Sequence, residues 1–353
     1  MDNLNVGIIG AGGIAQKLHL PDIARTPGLR VTCLAGRKEH RLRSLAERFN
    51  VPRITTDLEA LLADDSIQGV VIATPHPLHV RYGLAALKAG KHVFMQKPLC
   101  GDMGEANAFA EAVERSDRTV LCLPHFGDAT YRARSLVREG AIGTISGAYC
   151  RASHGGPEVY YAEVRDGFGE TGGDLWFYDA KQASVGALFD MGVYAVAQLV
   201  AVVGRVVKVF GRATTVAKPT TLEDTATLLL EFENGALGTA ETGWCDPAQT
   251  RGLRINGTTG KLESPGADGE ALTRWEPGSY TREDLPAVPH TIDVSGASPG
   301  GMHAHWLECI RAGTQPPVEN AWAARHVTEI LLAGLESSRS GRVVEIRSSP
   351  DRT

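Results

Sequence analysis

A glycine-rich turn close to the N-terminus has the residue types and spacing that bind phosphate groups. Gly10, Gly12 and Ala15 form a GxGxxA pattern between an apolar segment and a helical one. Gly10 permits a tight turn, Gly12 allows the backbone to approach a pyrophosphate, and a small residue at 15 lets helix and strand pack closely. The helix begins at Gly13 and Ile14, whose backbone N–H groups can bind the phosphates. This context predicts a dinucleotide site rather than a glycine-rich turn without a ligand.

The end of the second predicted strand is where such a site contacts the adenine ribose. An acidic residue at this place would bind the 2′-hydroxyl of NAD(H). The sequence instead has Gly36 and Arg37, and a guanidinium in place of a carboxylate suits a 2′-phosphate. We therefore expect NADP(H) to be favoured over NAD(H). The alternative is that Arg37 is a solvated residue at the start of a helix.

The first third of the chain alternates apolar segments with amphipathic ones. Strands are predicted at 5–9, 30–35, 69–73, 92–95 and 119–123, with helices between them. This alternation is typical of parallel βαβ units whose sheet is covered on both faces. We predict an N-terminal Rossmann domain, which binds the dinucleotide, over residues 1–124.

Residues 125–353 have a different pattern. Long strand-like segments dominate, at 145–153, 206–216, 224–233 and 236–244, and one strong helix is predicted over 186–203. Residues 264–300 are rich in Pro and Gly and are predicted to form loops. We predict an α/β protein whose second domain is α+β, with a large, mostly antiparallel open sheet that serves substrate binding and oligomerisation.

The composition excludes several classes of protein. The net charge is -5 and no long basic run occurs, so nucleic acid is not an expected partner. No signal-peptide pattern is present and no apolar run approaches the ~18 residues of a membrane span. None of the six cysteines is in a CxxC pair, which indicates reduced thiols rather than a disulfide framework. We expect a cytoplasmic protein.

Further segments give the chain a resemblance to a known family. Residues 7–15, 73–79 and 90–99 have the order and spacing of motifs in the Gfo/Idh/MocA oxidoreductases, relatives of glucose–fructose oxidoreductase and inositol dehydrogenase. Residues 187–194 resemble the second-domain motif of that family, and 334–346 resemble its C-terminal end. The resemblance covers nearly the whole chain and implies oxidation or reduction of sugars, cyclitols and similar polyols.

The resemblance also implies roles for residues near the cofactor. Lys97 matches the lysine of the family's Glu-Lys-Pro motif, which contacts the nicotinamide ribose and the reacting oxygen, while Gln96 stands where the family has glutamate. His79 is expected on the first turn of the cofactor-side helix. The family segment that lines the cofactor is matched by Thr74, Pro75 and His76.

Hydride transfer leaves a proton to be moved on or off the substrate oxygen, so an acid or base must lie within reach. Asp190 and Tyr194 are four residues apart on one predicted helix and would share a face. A lysine cation favours a phenolate, so Lys97 and Tyr194 form a candidate proton relay, with Asp190 orienting it or holding a substrate hydroxyl. The alternative is that Asp190 packs the helix and Tyr194 is a half-buried core aromatic.

Tyr194 is also a departure from the commoner family pattern, which has histidine there. A subgroup that resembles glucose–fructose oxidoreductase, xylose dehydrogenase and dihydrodiol dehydrogenase has tyrosine at this place. This chain is similar to that subgroup, which also favours NADP(H).

Three further features bear on substrate or metal binding. His125 follows the fifth strand, where open α/β sheets place ligand groups, and is expected either to contact substrate or to serve the domain junction. Trp176 is the first choice, as a platform for a sugar face or as part of a subunit interface, in an aromatic group that also contains Tyr160, Tyr161, Phe177 and Tyr178. His303 and His305 form HxH without further ligands at zinc spacing, so no metal is expected.

Two other functions remain open at this level. Related sequences include glycoside hydrolases that oxidise their substrate transiently with NAD, and regulators that bind the cofactor without catalysis. Lys97 and the missing basic surface argue against a regulator. We expect a homodimer or homotetramer, because the exposed face of a large sheet needs covering.

Overall fold

The structure, a computed structural model, describes residues 3–122, 124–159, 162, 166, 176–183, 185–265, 271–279, 281–282 and 284–352. The chain divides into two compact units. The first unit comprises Met1–Leu123, Pro157–Ser184 and Pro299–Arg325. The second unit comprises Pro124–Gly156, Val185–Ser298 and His326–Thr353.

This division differs from a continuous second domain over 125–353, because two later stretches return to the first unit. Cys122 donates its backbone N–H to the carbonyl of Glu319 at 2.9 Å. Val120 donates its backbone N–H to Oε1 of Gln315, 195 residues away, at 2.9 Å. These bonds attach the stretch 299–325 to the last strand of the first sheet, and no local sequence pattern could have predicted such a return.

The first unit contains a six-stranded parallel sheet. Its strands are β1 (Leu4–Ile9), β2 (Leu29–Ala35), β3 (Arg53–Thr55), β4 (Gly69–Ile72), β5 (His92–Met95) and β6 (Val120–Leu121), in the order β3-β2-β1-β4-β5-β6. The central strands β1 and β4 are almost entirely apolar and buried, as expected for a sheet covered on both faces. The predicted Rossmann architecture is confirmed.

The second unit contains a nine-stranded mixed sheet. Its strands are β7 (Ile145–Ser153), β8 (Val206–Thr214), β9 (Thr225–Phe232), β10 (Leu237–Gly243), β11 (Arg251–Gly257), β12 (Gly260–Ser264), β13 (Leu272–Glu276), β14 (Val288–Ile292) and β15 (Val344–Glu345). The order is β14-β13-β12-β11-β7-β10-β9-β8-β15, in which β7 and β10 pair in parallel and the other pairs are antiparallel. The prediction of a large, mostly antiparallel sheet is confirmed, but the prediction of loops over 264–300 is wrong where β13 and β14 extend it.

The described helices follow in chain order. They are α1 (Leu20–Arg25), α2 (Glu39–Phe49), α3 (Leu58–Leu62), α4 (His79–Lys88), α5 (Met103–Glu114), α6 (Asp128–Arg138), α7 (Ala180–Ala183), α8 (Ala187–Asp190), α9 (Gly192–Val203), α10 (Met302–Ala312) and α11 (Ala321–Ser340). A π-helical turn, Ala15–His19, precedes α1, and 3-10 turns occur at His76–Leu78 and Trp176–Tyr178. Among the described helices, none has both the length and the apolar composition that crossing a bilayer requires.

Candidate active site

The glycine-rich turn lies between the carboxyl ends of β2 and β4. Gly10 has φ +104° and donates its N–H to the carbonyl of Ala35 at 2.8 Å. A Cβ at Gly10 would lie 2.6 Å from the carbonyl oxygen of Ala73, so any side chain would clash with backbone. Around Gly12, by contrast, a Cβ would meet nothing within 4 Å. The protein's own packing thus requires glycine at 10 but not at 12, where the turn is open, as a pyrophosphate cradle must be.

The helix that follows this turn supplies the polar groups of such a cradle. Residues 13–25 are helical, with the π-helical turn inside them. The first N–H groups of a helix have no partner within it and favour anions. Gly13 and Ile14 lie at this end, directly after the open backbone of Gly12. The residues present fit a dinucleotide pyrophosphate.

The ribose end of the cradle carries no carboxylate from the end of β2. Gly36 follows β2 and donates its N–H to the carbonyl of Thr55 at 3.2 Å, and Arg37 is exposed. The next acidic residue, Glu39, lies on α2 and pairs with Arg43 at 2.5 Å. The positively charged Arg37 is therefore the side chain at the position where an acid would select NAD(H).

The segment after β4 turns inward to a small aromatic group. His76 is buried and its Nε2–H donates to the carbonyl of Ala183 at 2.5 Å. The Trp176 ring lies edge-on to His76, with centroids 5.0 Å apart, and contacts the Phe177 ring at a tilt of 32°, with centroids 3.9 Å apart. The structure therefore brings together His76, predicted at the cofactor, and Trp176, predicted at the substrate. The predicted aromatics Tyr160 and Tyr161 lie outside the described residues.

His79 is held between two backbone carbonyls rather than offered to a ligand. Its Nδ1 lies 2.7 Å from the carbonyl of Pro98 and its Nε2 lies 2.9 Å from the carbonyl of Thr74. Burial, with a smaller contribution from the Lys97 cation, lowers the pKa of His79 to about 4. Because both ring nitrogens face backbone carbonyls, the His79 ring joins the Thr74 and Pro98 segments, and its contact with the cofactor stays a prediction.

Gln96 and Lys97 follow β5 and are both partly buried. The backbone N–H of Lys97 donates to Oε1 of Gln96 at 3.2 Å. The Nε2 of Gln96 donates to Nε2 of the buried His19 at 2.9 Å. The peptide bond between Lys97 and Pro98 is cis. Both the nitrogen and the oxygen of the Gln96 amide thus have hydrogen-bond partners, beside the predicted catalytic lysine.

Asp190 is the last residue of the short helix α8, and the carboxylate of Glu223 binds the N-terminus of that helix. Glu223 accepts hydrogen bonds from the N–H groups of Gly186 at 3.0 Å and Leu188 at 3.2 Å, which caps α8. The helix predicted over 186–203 is divided into α8 and α9 by one turn residue, Met191 (φ -111°, ψ -35°), whose carbonyl accepts the Tyr194 N–H. Asp190 and Tyr194 therefore lie on two successive helices.

Around Asp190 the second unit assembles a polar cluster that the sequence did not reveal. Trp244 donates its indole N–H to Oδ2 of Asp190 at 2.9 Å, and both side chains are buried. His154 accepts the Gly156 N–H on Nδ1 at 2.9 Å, so its proton is on Nε2, which lies 3.5 Å from the same oxygen. His154 and Trp244 follow β7 and β10, and parallel strands bring their carboxyl ends to one edge of a sheet. A sequence-based prediction that β7 and β10 pair in parallel could have indicated that His154 and Trp244 belong to this site.

Tyr194 and His125 are the remaining predicted residues of the second unit. Tyr194 is partly buried on α9, and the guanidinium of Arg251 lies over its ring at 5.0 Å. A cation over the face of a tyrosine ring is attracted to the ring and restricts its position. His125 is partly buried three residues before Asp128, the first residue of α6. Arg251 is a further residue that sequence reasoning missed.

The histidines of the HxH pair have other partners. Nε2 of His303 lies 2.9 Å from Nδ1 of His19, and His305 lies 3.8 Å from Glu319. Within the described parts of the chain, no three histidine, cysteine, aspartate or glutamate side chains are grouped so that they could hold a metal ion.

Two parts of the chain match domains of one protein family. Residues 4–123 match the domain described as the oxidoreductase family, NAD-binding Rossmann fold. Residues 130–263 match the Gfo/Idh/MocA C-terminal domain.

Curated relatives and solved structures agree with these matches. The D-xylose 1-dehydrogenase (NADP(+)) 2 of Haloferax volcanii is 27% identical over 342 residues, 96% of this chain and 99% of the relative. Oxidoreductase P35 of Formosa agariphila is 38% identical over 147 residues, 41% of this chain and about half (46%) of that relative's length. A levoglucosan dehydrogenase in complex with NADH has a TM-score of 0.80 at 21% identity, with 98% of this chain and 100% of that chain covered, which shows a shared fold.

Proposed function

From the premise that the chain belongs to the Gfo/Idh/MocA family of oxidoreductases with an NAD-binding Rossmann fold, we propose that it oxidises or reduces a polyol. The substrate is a sugar, a sugar derivative or a cyclitol, and a hydride moves between its hydroxyl or keto carbon and the nicotinamide. The observation that carries this proposal is the buried Asp190 carboxylate, which Trp244 and His154 face at 2.9 Å and 3.5 Å, with Tyr194 on the next helix. One relative that matches along nearly its whole length is named a D-xylose 1-dehydrogenase.

The nicotinamide cofactor would be held by the first unit. We assign its pyrophosphate to the backbone at Gly10, Gly12, Gly13 and Ile14, with Thr74 and Pro75 lining it. The exposed Arg37 favours NADP(H) over NAD(H), because a guanidinium binds a phosphate and no acid follows β2 directly. The xylose dehydrogenase relative is named for NADP(+). Bound there, the cofactor supplies or accepts the hydride.

The proton that accompanies hydride transfer is assigned to Tyr194, with Lys97 assisting. The Arg251 guanidinium lies over the Tyr194 ring at 5.0 Å, and this cation–π contact supports the assignment because it holds in place the ring that would carry the proton. Asp190 positions the substrate, since a carboxylate accepts several hydrogen bonds and can bind a substrate hydroxyl besides the Trp244 indole. His154 joins it as a positioning residue.

Substrate selection is assigned to Trp176 and His125. Trp176 and Phe177 form a pair of contacting aromatic rings beside His76, and an aromatic ring can pack against the apolar face of a sugar ring. His125 has two ring nitrogens that exchange hydrogen bonds with hydroxyl groups. Both assignments describe how a polyol would be bound, and neither identifies which polyol it is.

Assembly and location complete the proposal. Phe210, Leu229 and Leu237 expose 37%, 47% and 52% of their surface on β8, β9 and β10, which supports a homodimer or homotetramer formed through the open sheet face. All six cysteines are free thiols, which supports a cytoplasmic location. Light scattering of the purified protein would report the number of subunits.

The test is a screen of sugars, cyclitols and keto-sugars with NADP and NAD, read by nicotinamide absorbance. The proposal predicts net reduction or oxidation of the cofactor with members of this class. Release of a sugar from a glycoside with no net redox change would assign the hydrolase function instead. Tight cofactor binding with no turnover across the screen would contradict catalysis and favour a regulator.

A further inference from the structure

A chain of four side chains runs through the first unit and ends beside Lys97. Nε2 of Gln96 lies 2.9 Å from Nε2 of His19, whose Nδ1 lies 2.9 Å from Nε2 of His303. Nδ1 of His303 lies 2.5 Å from Oδ2 of Asp22. The four side chains come from β5's end, the π-helical turn, α10 and α1. The chain therefore joins the return stretch 299–325 to the segment that contains the predicted catalytic lysine.

The chemistry of the two ends fixes the direction of every hydrogen bond between them. An ionised Asp22 only accepts, so the proton of His303 is on Nδ1. Nε2 of His303 then accepts from Nδ1–H of His19, which leaves Nε2 of His19 to accept from the amide of Gln96. The amide oxygen of Gln96 meanwhile accepts the backbone N–H of Lys97. Both histidines are thereby neutral and protonated on Nδ1.

The two rings lie in a buried region beside another aromatic ring. His19 and His303 are both completely buried. The Phe94 ring stacks on His303 at 4.7 Å and meets His19 edge-on at 5.3 Å. Burial lowers the pKa of His19 well below its usual range, and His303 lowers it further. At the far end, Asp22 also faces Arg25, whose guanidinium lies 3.8 Å from the Asp22 carboxylate.

An amide at the inner end distinguishes this chain of bonds from a proton pathway. A glutamine side chain donates through its nitrogen and accepts through its oxygen, but it has no site that gains and loses a proton near neutral pH. A glutamate, which the family resemblance expects at this position, would have one. The arrangement can therefore orient groups but cannot carry protons from Lys97 to Asp22.

We infer that His19 and His303 are positioning residues that fix the amide of Gln96, and through it the main chain at Lys97, by a one-directional hydrogen-bond chain anchored on Asp22. The role of Lys97 in this inference rests on the proposed function. The series of hydrogen bonds from Gln96 to Asp22 does not depend on that function. The same inference also assigns a reason for Gln96, because a carboxylate at that place would draw a proton onto His19 and place charges in an apolar region.

The first experiment measures the two histidine rings directly, in the protein without cofactor or substrate. Nitrogen-15 NMR of histidine-labelled protein distinguishes Nδ1-protonated, Nε2-protonated and doubly protonated rings, with assignment from His19→Gln and His303→Gln. We expect the His19 ring to be neutral and protonated on Nδ1 from about pH 6 to about pH 8, the range in which ordinary histidines titrate, and the His303 ring to have a proton on Nδ1. Titration of the His19 ring in that range, or a neutral ring protonated on Nε2 at either position, would overturn the inference.

Gln96→Glu gives a second result in the same spectra. The new carboxylate faces Nε2 of His19 and should raise the pKa of that ring, so His19 becomes doubly protonated within the same pH range. His290→Asn is the control, because His290 is about half exposed and lies far along the chain on β14. A His19 signal that is unchanged in Gln96→Glu would also overturn the inference.

Two substitutions at His19 separate positioning from simple packing. A glutamine side chain extends far enough to accept from Gln96, in place of Nε2, whereas an asparagine extends only to the position of Nδ1. We expect His19→Asn to lower kcat on the order of tenfold to a hundredfold, and His19→Gln to lower it much less, at similar melting temperatures. Equal losses of kcat in the two variants would contradict a positioning role.

The two kinds of measurement also separate this inference from the proposed function. Nδ1-protonated rings together with no turnover on any polyol would leave the hydrogen-bond chain intact and reject the proposed activity. Turnover together with a His19 ring that titrates between about pH 6 and about pH 8 would reject the hydrogen-bond chain and leave the activity intact. The matched control on α10 is His305→Gln. His305 is also buried and lies two residues from His303, but it faces Glu319 and Cys309 rather than His19.

Discussion

Trp244 donates its indole N–H to Oδ2 of Asp190 at 2.9 Å, and both residues are buried in the second unit. The indole reaches Asp190 because it follows β10, while His154 follows the parallel neighbour β7 and faces the same carboxylate. A buried carboxylate needs such partners, since an unpaired one would be costly. This relationship fixes the acid that we assign to substrate positioning.

Replacing Trp244 by phenylalanine should therefore destabilise the protein through the carboxylate it leaves behind. We expect a loss of about 1–3 kcal/mol in the free energy of unfolding, because a buried acceptor loses its donor. Urea denaturation measures it. Trp306→Phe is the matched control, since the Trp306 indole is buried with no hydrogen-bond partner among the described residues. Equal losses in both variants would show that the hydrogen bond to Asp190 contributes nothing.

Arg37→Gln should change cofactor preference. Without the guanidinium, kcat/KM for NADP should fall about tenfold or more, which corresponds to about 1.4 kcal/mol, while kcat/KM for NAD changes little. Steady-state kinetics with each cofactor measures the ratio. The control is Arg43→Gln on α2, which removes an exposed arginine that pairs with Glu39. A preference that is unchanged in Arg37→Gln would mean that the 2′-phosphate is not bound at the end of β2.

His92 should make the protein sensitive to acid. Its Nδ1 accepts the Thr119 N–H at 3.0 Å, and burial, with Arg118 nearby, lowers the pKa of His92 to about 4. Because the folded state holds this ring neutral while an unfolded histidine gains a proton near pH ~6.5, the free energy of unfolding should fall as pH falls from there toward 4. Urea denaturation at a series of pH values measures the slope.

His92→Asn is the variant that isolates this effect. The asparagine oxygen takes the place of Nδ1 and accepts the same N–H without titrating, so the loss of stability in acid should be smaller than in the wild type. His290→Asn, on the exposed β14, should leave the slope unchanged. The same slope in His92→Asn and the wild type would assign the acid sensitivity to other groups.

The first unit was largely predictable because its signals are local. The turn at Gly10 needs a positive φ and close backbone contact with Ala73, and only glycine satisfies both. The alternation of apolar and amphipathic segments likewise predicts parallel strands without knowledge of distant residues. The end of β2, where Gly36 and Arg37 stand in place of an acidic residue, is also a signal that can be read from the local sequence.

The rest depended on contacts between distant segments. The break at Met191, the closure of Trp244 and His154 on Asp190, and the return of residues 299–325 all join residues far apart in sequence. His79 shows the same limit, because two carbonyls, rather than anything in its own segment, decide where its ring points. Periodicity within one segment contains no information about these contacts.

The central claim is that Tyr194 moves the proton while a hydride moves between substrate and nicotinamide. The direct measurement is single-turnover formation of reduced cofactor with a polyol identified by the screen, in wild type, Tyr194→Phe and Tyr149→Phe. Tyr149 is the control because its hydroxyl donates to Glu241 on the open sheet at 3.0 Å. The account predicts that Tyr194→Phe binds cofactor normally but reacts on the order of 10²–10⁴ times more slowly, while Tyr149→Phe reacts like the wild type. A Tyr194→Phe rate equal to that of the wild type would contradict it.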